Sequence, residues 1–543
     1  FEVAQLIRSR AVQGALNKSG ARAAARDPQM AELARREQDA QKQVGALNGR
    51  LAYHLSLAAS EHDEEVIEDL RVRIDGLRET RADLMSSLES GFPDYAKLIN
   101  PKPLNLAGVQ SYLREDEALI SFYVGEERSY VWAMRNAGEV EFAPIEYGEA
   151  EIAQFVETLR LALSPDAQTL GDIPEFDLQT GHALFGALLA PVESAWKDKA
   201  HLLVVPHKAL GFLPLSVLPM QSTELSDETG PLFSNYQGVP WLIRDHSVTT
   251  LPSVASLRML RDLPPANVNR LAFAGFANPL FSEEQALAHE SSDAGSSDGL
   301  TSRGLGLRGT SLNLRSAPQT QELSSADLGQ LPPLPDTQEE VEGIAQILGA
   351  DFERDIFVGV SASEGRVKSA DLSQYRVIAF ATHGLVPGDL DGLTQPALAF
   401  SSPQVVGDEQ DGLLTLGEIL GLRLDADWVV LSACNTGMGE AAGAEALSGL
   451  GRAFFYAGTR ALLVSNWPVE TTSAKLLTVD LFKSQVSNPG LGRADALRQS
   501  MLSLLDSPGF LDSETNQPLF SYAHPIFWAP FSLDGDGGRA IIP

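Results

Sequence analysis

Cys434 and His383 are the two residues whose type and position could do covalent chemistry. Cys434, the only cysteine in the chain, sits in Asp427-Trp-Val-Val-Leu-Ser-Ala-Cys-Asn-Thr-Gly437. The apolar run, with acidic residues before it and Asn-Thr-Gly after it, reads as a buried parallel strand with the thiol at its carboxyl end. That end is where open α/β sheets bind ligands. Tyr375-Arg-Val-Ile-Ala-Phe-Ala-Thr-His-Gly384 has the same build and presents His383 at its tip. An imidazole across a cleft can take the thiol's proton or supply a positive charge, and either makes the sulfur a nucleophile near neutral pH. Taken singly, each residue has a plainer reading: a lone buried cysteine as an inert small hydrophobe, a lone histidine as a hydrogen-bonded structural group. The pairing of both at strand ends beside glycine-containing turns favours the dyad.

Two strands of one parallel sheet must position them. The 434 − 383 = 51 residues between them leave room for the crossover that parallel neighbours require. Within the crossover Asp389 and Asp391 fall in a loop, Leu398-Ala-Phe-Ser401 is apolar, and Asp411 to Glu418 leads into a short helix. After the thiol, Gly437 and Gly439 permit a turn. A helix is expected from about 444 to 457, stopped by Gly458, then a strand at Arg460 to Ser465 and helices near 470–485 and 492–506. Thr337-Gln-Glu-Glu340 is expected to cap a helix reaching Leu348. Together residues 266–540 read as the catalytic α/β domain. It holds a Ser, Gly, Asp and Pro-rich insertion at about 282–335 that is expected to be mobile and carries Arg303, Arg308 and Arg315, a candidate for self-processing or docking.

Upstream, residues 105–265 read as a first α/β unit. Ala118 to Val124 and Ser129 to Met134 form a hairpin that Glu139 to Phe142 extends, and His201-Leu-Leu-Val-Val-Pro206 is a buried strand. The unit has no cysteine, so it is non-catalytic; His207 imitates a site there without a nucleophile. Residues 1–100 read as a helical arm. Asp27-Pro28 and Ser60-x-x-Asp63 are helix starts. Ile67, Leu70, Ile74, Leu77, Leu84 and Leu88 make a coiled-coil-like seam broken only by Arg81. Leu33, Val44, Leu47, Leu51 and Leu55 give the preceding helix a matching face, so an antiparallel hairpin is expected. Gly91-Phe-Pro93 ends it.

Ala381-Thr-His-Gly384 and Leu431-Ser-Ala-Cys-Asn-Thr-Gly437 resemble the two signature motifs of the CHAT family, bacterial caspase-like peptidases often joined to tetratricopeptide repeats. The likeness continues in Gly449 to Gly458, Ser465-Asn-Trp-Pro-Val469, Phe212 to Pro219 and Leu251-Pro-Ser253, and covers roughly residues 105 to 535. It implies a caspase-like, mainly parallel sheet flanked by helices, preceded by a non-catalytic caspase-like unit and the helical hairpin. The separation of about 50 residues also fits the caspase pattern. The implied activity is a cysteine endopeptidase: Cys434 attacks, His383 moves protons, and the backbone N–H groups of Gly384 and Cys434 hold the oxyanion. Pockets for basic residues need carboxylates. Glu470, at the end of the strand after the active one, is the first candidate and Asp389 the weaker. Ser432 stands where some Arg-specific relatives of the wider group carry an acid. Relatives in bacterial defence cut gasdermin-type pore formers, so the implied substrate is a protein of that kind, and an upstream repeat domain or regulator is the implied trigger.

The net charge of −31 and pI near 4.6 argue against nucleic acid and anionic membrane as partners. A single cysteine allows no internal disulfide and suits a reducing cytoplasm. No run is apolar enough to span a bilayer and no signal peptide is seen. The first residue, Phe1, points to a fragment or processed product. No ligand cluster of zinc spacing is present and no cofactor is expected. Two rival functions stay open: a silent peptidase-fold scaffold, and a small-molecule α/β hydrolase. The second lacks a Gly-x-Ser-x-Gly elbow, and the match Gly304 to Gly309 to a dinucleotide motif lies in the insertion with no strand before it.

Overall fold

The computed structural model describes residues 1–5, 64–91, 103–292, 328–385, 393–432 and 450–538 apart from scattered positions, part of 29–51, and Leu312 and Leu390. Asp27-Pro28, Ser60-x-x-Asp63 and most of the insertion lie outside them. Within the arm the described residues belong to two helices packed against each other. Helix α1 (Glu64–Gly91) packs Leu70 and Ile74 against Leu47 of the preceding helix. Farther along, Arg81 of α1 donates to the buried carboxylate of Glu37. Residue numbers rise on one helix as they fall on the other, so the two run antiparallel. Arg81, the break in the apolar seam, is the partner that lets Glu37 be buried.

Beyond the arm, α2 (Leu106–Tyr112) leads into β1 (Glu117–Val124), β2 (Ser129–Arg135) and β3 (Glu141–Ile145), an antiparallel meander. Helices α3 (Glu149–Leu163) and α4 (Leu178–Leu188) follow, then β4 (His201–Val205), β5 (Ser247–Thr250) and α5 (Val254–Arg261). The later half contributes β6 (Leu271–Ala277), α6 (Glu283–Ser292), α7 (Asp336–Leu348), β7 (Ile356–Val358) and β8 (Tyr375–Ala381). A small sheet of β9 (Gly384–Leu385), β10 (Ala397–Ala399) and β11 (Leu413–Thr415) fills the crossover to β12 (Trp428–Leu431). Strand β13 (Ala461–Ser465), α8 (Thr471–Ser487), α9 (Arg493–Leu505), the hairpin β14 (Phe510–Leu511) and β15 (Pro518–Phe520), and β16 (Phe531–Gly535) complete the chain.

Eleven of these strands join in one sheet ordered β3-β2-β1-β4-β5-β16-β13-β12-β8-β6-β7. Strands β1, β4 and β5 run parallel to one another, as do β13, β12, β8, β6 and β7, so the sheet is mainly parallel. The apolar composition of β8 and β12 follows, because helices cover both faces. Trp428, Val430, Val377 and Ala379 share one core with α7, α8 and α9, while Val429, Leu431, Ile378 and Phe380 share the other with α2 and α5. The two α/β units therefore meet inside a single sheet, β5 beside β16. Arg160 of α3 ties them again, its guanidinium donating to the carbonyls of Phe212 and Asn466, which lie in two of the sequence motifs quoted above.

Three local expectations change. Thr337 does not cap α7; the N-cap is Pro335, and the Thr337 hydroxyl donates to Leu334 O while accepting from Asn278 N–H. The insertion begins as a helix, α6. Its return segment, residues 328–335, is packed rather than loose: Leu328 and Leu331 are buried with Phe281, Leu385 and Ala397. Arg303, Arg308 and Arg315 lie outside the described residues.

Candidate active site

His383 follows β8, and the backbone around it is held by the small sheet. Ala399 N–H donates to His383 O at 2.9 Å, and the Thr382 hydroxyl donates to Ala399 O. Leu398 lies opposite Gly384 in the ladder. Because bonded and non-bonded pairs alternate along an antiparallel ladder, the His383–Ala399 bond leaves Gly384 N–H turned away from β10. The imidazole is 0% exposed and lies against the Phe281 ring, centroids 5.5 Å apart. Its Nε2 is 2.8 Å from the carbonyl oxygen of Pro332, in the insertion's return segment. A carbonyl oxygen can only accept, so Nε2 carries the proton. In the neutral ring the lone pair is then on Nδ1, which has no hydrogen-bond partner among the described residues. Burial pushes the His383 pKa below the ordinary imidazole value, and the Pro332 hydrogen bond and the charge of Asp336 offset this in part.

Cys434 and Asp389 lie outside the described residues; the strand before the thiol is described to Ser432. Its pairing with β8 runs from Trp428↔Val377 to Leu431↔Phe380. The offset is 428 − 377 = 51, the same as 434 − 383. Side chains alternate along a strand, and Val377, Ala379, Trp428 and Val430 face one core. The odd positions of β8, which reach His383, therefore share a face with the even positions of β12, among which Ser432 falls. The Ser432 hydroxyl, 2% exposed, donates to Glu340 Oε2 of α7 at 2.9 Å.

Glu470 is buried at the start of α8, where its two carboxylate oxygens accept from Thr472 N–H (3.1 Å) and Ser473 N–H (2.8 Å). This is an N-cap, a structural employment that the sequence position alone did not reveal. Next to it the Thr471 hydroxyl donates to Asp336 Oδ2 at 3.2 Å, so the first turns of α7 and α8 adjoin. His207 accepts from Val124 N–H at 2.8 Å and stacks on Tyr123, a structural use of the ring. Sequence reasoning missed Pro332, Asp336 and Glu340. Pro332 stands in a Leu-Pro-Pro-Leu-Pro run that looks like linker, and the two acids lie in an ordinary amphipathic helix. Among the described residues no cluster of His, Cys, Asp and Glu could hold a metal ion.

Comparison with known proteins gives two kinds of relative. Tetratricopeptide repeat protein 28 of Mus musculus is 30% identical over 238 residues, 39% of this chain and 9% of that protein. Its Homo sapiens counterpart is 30% identical over 239 residues with the same coverage. The chain thus spans about a tenth of the length of these relatives. Two crystal structures of the Saccharomyces cerevisiae separase–securin complex match 92% of this chain at 9% identity, with TM-scores of 0.40 and 0.38, covering 37% and 38% of the matched chain. Residues 178–536, more than half of the sequence, match the CHAT domain, and the chain belongs to the CHAT domain family.

Proposed function

We propose that the protein is a cysteine endopeptidase that cuts after a basic residue, with Cys434 as nucleophile and His383 as its proton carrier. The observation that carries this reading is the buried imidazole, whose Nε2 is tied to Pro332 O while the basic Nδ1 is left with no partner among the described residues. Most buried polar side-chain atoms are paired, so an imidazole nitrogen left over in this place favours a chemical use over a structural one. The register offset of 51 residues between β8 and β12 equals the spacing of the two residues in the sequence, which supports pairing them as a dyad.

The steps follow from those positions. Nδ1 takes the thiol proton as sulfur bonds to the scissile carbonyl carbon, and the oxygen becomes an oxyanion. The N–H of Gly384, turned away from β10, and the N–H of Cys434 are its donors. The imidazolium then returns the proton to the leaving amine as the C–N bond breaks. Water, deprotonated by the same nitrogen, attacks the thioester and releases the acid. Pro332 positions the ring throughout. Preference for a basic residue draws on the carboxylates of α7 near this rim, Asp336 and Glu340, rather than on Glu470, whose two oxygens accept backbone N–H groups of α8.

A second reading, a scaffold with a silent dyad, draws on the complete burial of the imidazole. An arginyl acyloxymethyl ketone separates the two. Labelling of the full chain that disappears in Cys434→Ala supports the peptidase; absence of labelling, including after removal of the insertion by limited proteolysis, favours the scaffold.

A further inference from the structure

Buried or nearly buried arginines elsewhere in the molecule are answered by carboxylates: Arg261 by Asp536, Arg270 and Arg493 by Asp427. Arg160, half-buried near the end of α3, has no carboxylate within ion-pair distance among the described residues. Burial lowers its pKa to about 10, and no acid offsets the shift. A cation drawn partly out of water without a counter-charge is unfavourable, so the position calls for an anion.

The unused edge of the guanidinium shows what kind. Nη1 donates to Phe212 O at 2.7 Å, and Nη1 and Nη2 together straddle Asn466 O at 3.4 Å each. The Nε–H and the Nη2–H beside it meet no acceptor among the described residues. Those two parallel N–H groups are the edge that receives both oxygens of a carboxylate. Arg498 makes the contrast, since it closes the same edge on the carbonyls of Ile243 and Arg244. In Arg160 the carbonyl contacts fix the plane of the group while leaving that edge open, so little freedom remains to be lost when an anion arrives. Asn466 is itself held, its N–H and side-chain amide both donating to Pro530 O at 2.7 and 3.1 Å. The place suits a ligand as well. Asn466 directly follows the carboxyl end of β13, Phe212 lies in the segment leaving the carboxyl end of β4, and open α/β sheets bind ligands beyond such ends.

We propose that Arg160 anchors an anion site that takes a carboxylate, from a free small acid or from an acidic residue of a bound peptide, with its two oxygens on Nε and Nη2. A monoanion is the match, because one guanidinium supplies one positive charge in a chain of net charge −31. The site is built by α3 and the segments after β4 and β13, and it stands whether or not the protein is a peptidase.

The test titrates the full chain by calorimetry, in chloride buffer of constant ionic strength, with acetate and with two capped peptides, Ala-Ala-Glu-Ala-Ala and Ala-Ala-Gln-Ala-Ala. The wild type is expected to bind one carboxylate per chain, and the Glu peptide more tightly than the Gln peptide by about tenfold or more. Acetate binding as tightly as the Glu peptide identifies a free acid as the ligand; a Glu peptide that binds well above acetate identifies a peptide-borne one. Arg160→Met abolishes the binding. Arg160→Lys, which keeps the charge but not the paired N–H groups, weakens it by about tenfold. The proposal is overturned if the wild type binds neither acetate nor the Glu peptide, or binds the two peptides equally and acetate not at all. It is equally overturned by an Arg160→Met chain that melts lower yet binds like wild type, which would leave Arg160 as a tie between the two units and nothing more. If Arg160→Met is unfolded, Arg160→Lys decides, and an unchanged affinity there rejects the site.

Discussion

At the scale of single residues, the state of His383 is a contest between burial and two local supports. Burial lowers its pKa, and the Pro332 hydrogen bond and Asp336 act against that without winning. A neutral imidazole with Nε2–H fixed is ready to accept a proton at Nδ1 under conditions where an exposed histidine would already be charged. The acid limb of Cys434 alkylation is therefore expected below about pH 6.5, the ordinary imidazole value. In Asp336→Asn, which removes a nearby negative charge, the limb moves further towards acid; the rate of labelling measured from pH 4.5 to 8 reads both shifts. Glu470 makes a different prediction, since its carboxylate caps α8. Glu470→Ala is expected to cost about 1 kcal/mol of stability by denaturant unfolding, while the ratio of labelling rates with the arginyl probe and its neutral citrulline analogue stays close to the wild-type value. A large fall in that ratio would return Glu470 to the pocket. The sequence exposed His383 because histidine ending an apolar strand before glycine is an unusual pattern. It hid Glu340, whose partner Ser432 is 92 positions away and whose surroundings resemble any helix of this amphipathicity.

At the scale of elements, strands buried on both faces were the readable part. Runs such as Val377 to Ala381 and Trp428 to Leu431 have no polar face, and only a helix-covered parallel sheet accommodates that. The pieces without a strong period were not readable. Strands β9, β10 and β11 are two or three residues long, too short for alternation to register, although they lock the backbone on either side of His383. The return of the insertion was hidden for another reason: proline and small residues signal loop, but Leu328 and Leu331 anchor this loop in a core of its own beside the imidazole. Gly412 shows how tightly they fit. Its φ is +80°, and a Cβ there would lie 2.7 Å from Leu328. Leu331, 1% exposed, should be the sensitive position. Leu331→Ala is expected to destabilise by about 2–4 kcal/mol and to slow labelling by loosening the carbonyl of the next residue, Pro332, from the ring. Unchanged labelling in a variant that is measurably less stable would show that the segment covers His383 without positioning it.

At the scale of the whole molecule, the two α/β units that composition separates are one mechanical body. The chain's last strand, β16, lies between the strands of the early unit and those of the late one, so neither half of the sheet is complete without the other. Charge reinforces the joint. Asp536, just after β16, meets Arg114 at 3.1 Å and Arg261 at 3.4 Å, and both arginines also reach the buried Glu117 that begins β1. Arg493, 1% exposed, donates to Asp536 O, and Arg270 pairs with Asp427 at the start of β12. Burial alone would raise the Asp536 pKa, but Arg261, Arg493 and Arg114 outweigh it and hold it down to about 2. A carboxyl depressed in the fold stabilises above its unfolded value, near 3.8, and loses that contribution as pH falls through the folded one. Arg261→Met leaves Glu117 and Asp536 short of a cation. It is expected to cost about 3–5 kcal/mol near neutral pH, and to narrow its gap from wild type as pH falls below about 4, where Asp536 takes up a proton earlier in the variant. Because the network spans both units, calorimetry should show the sheet still melting in one transition shifted to lower temperature, with the helical arm free to melt apart. A split into two sheet transitions would mean that the units hold together separately and that β16 is only a tether between them.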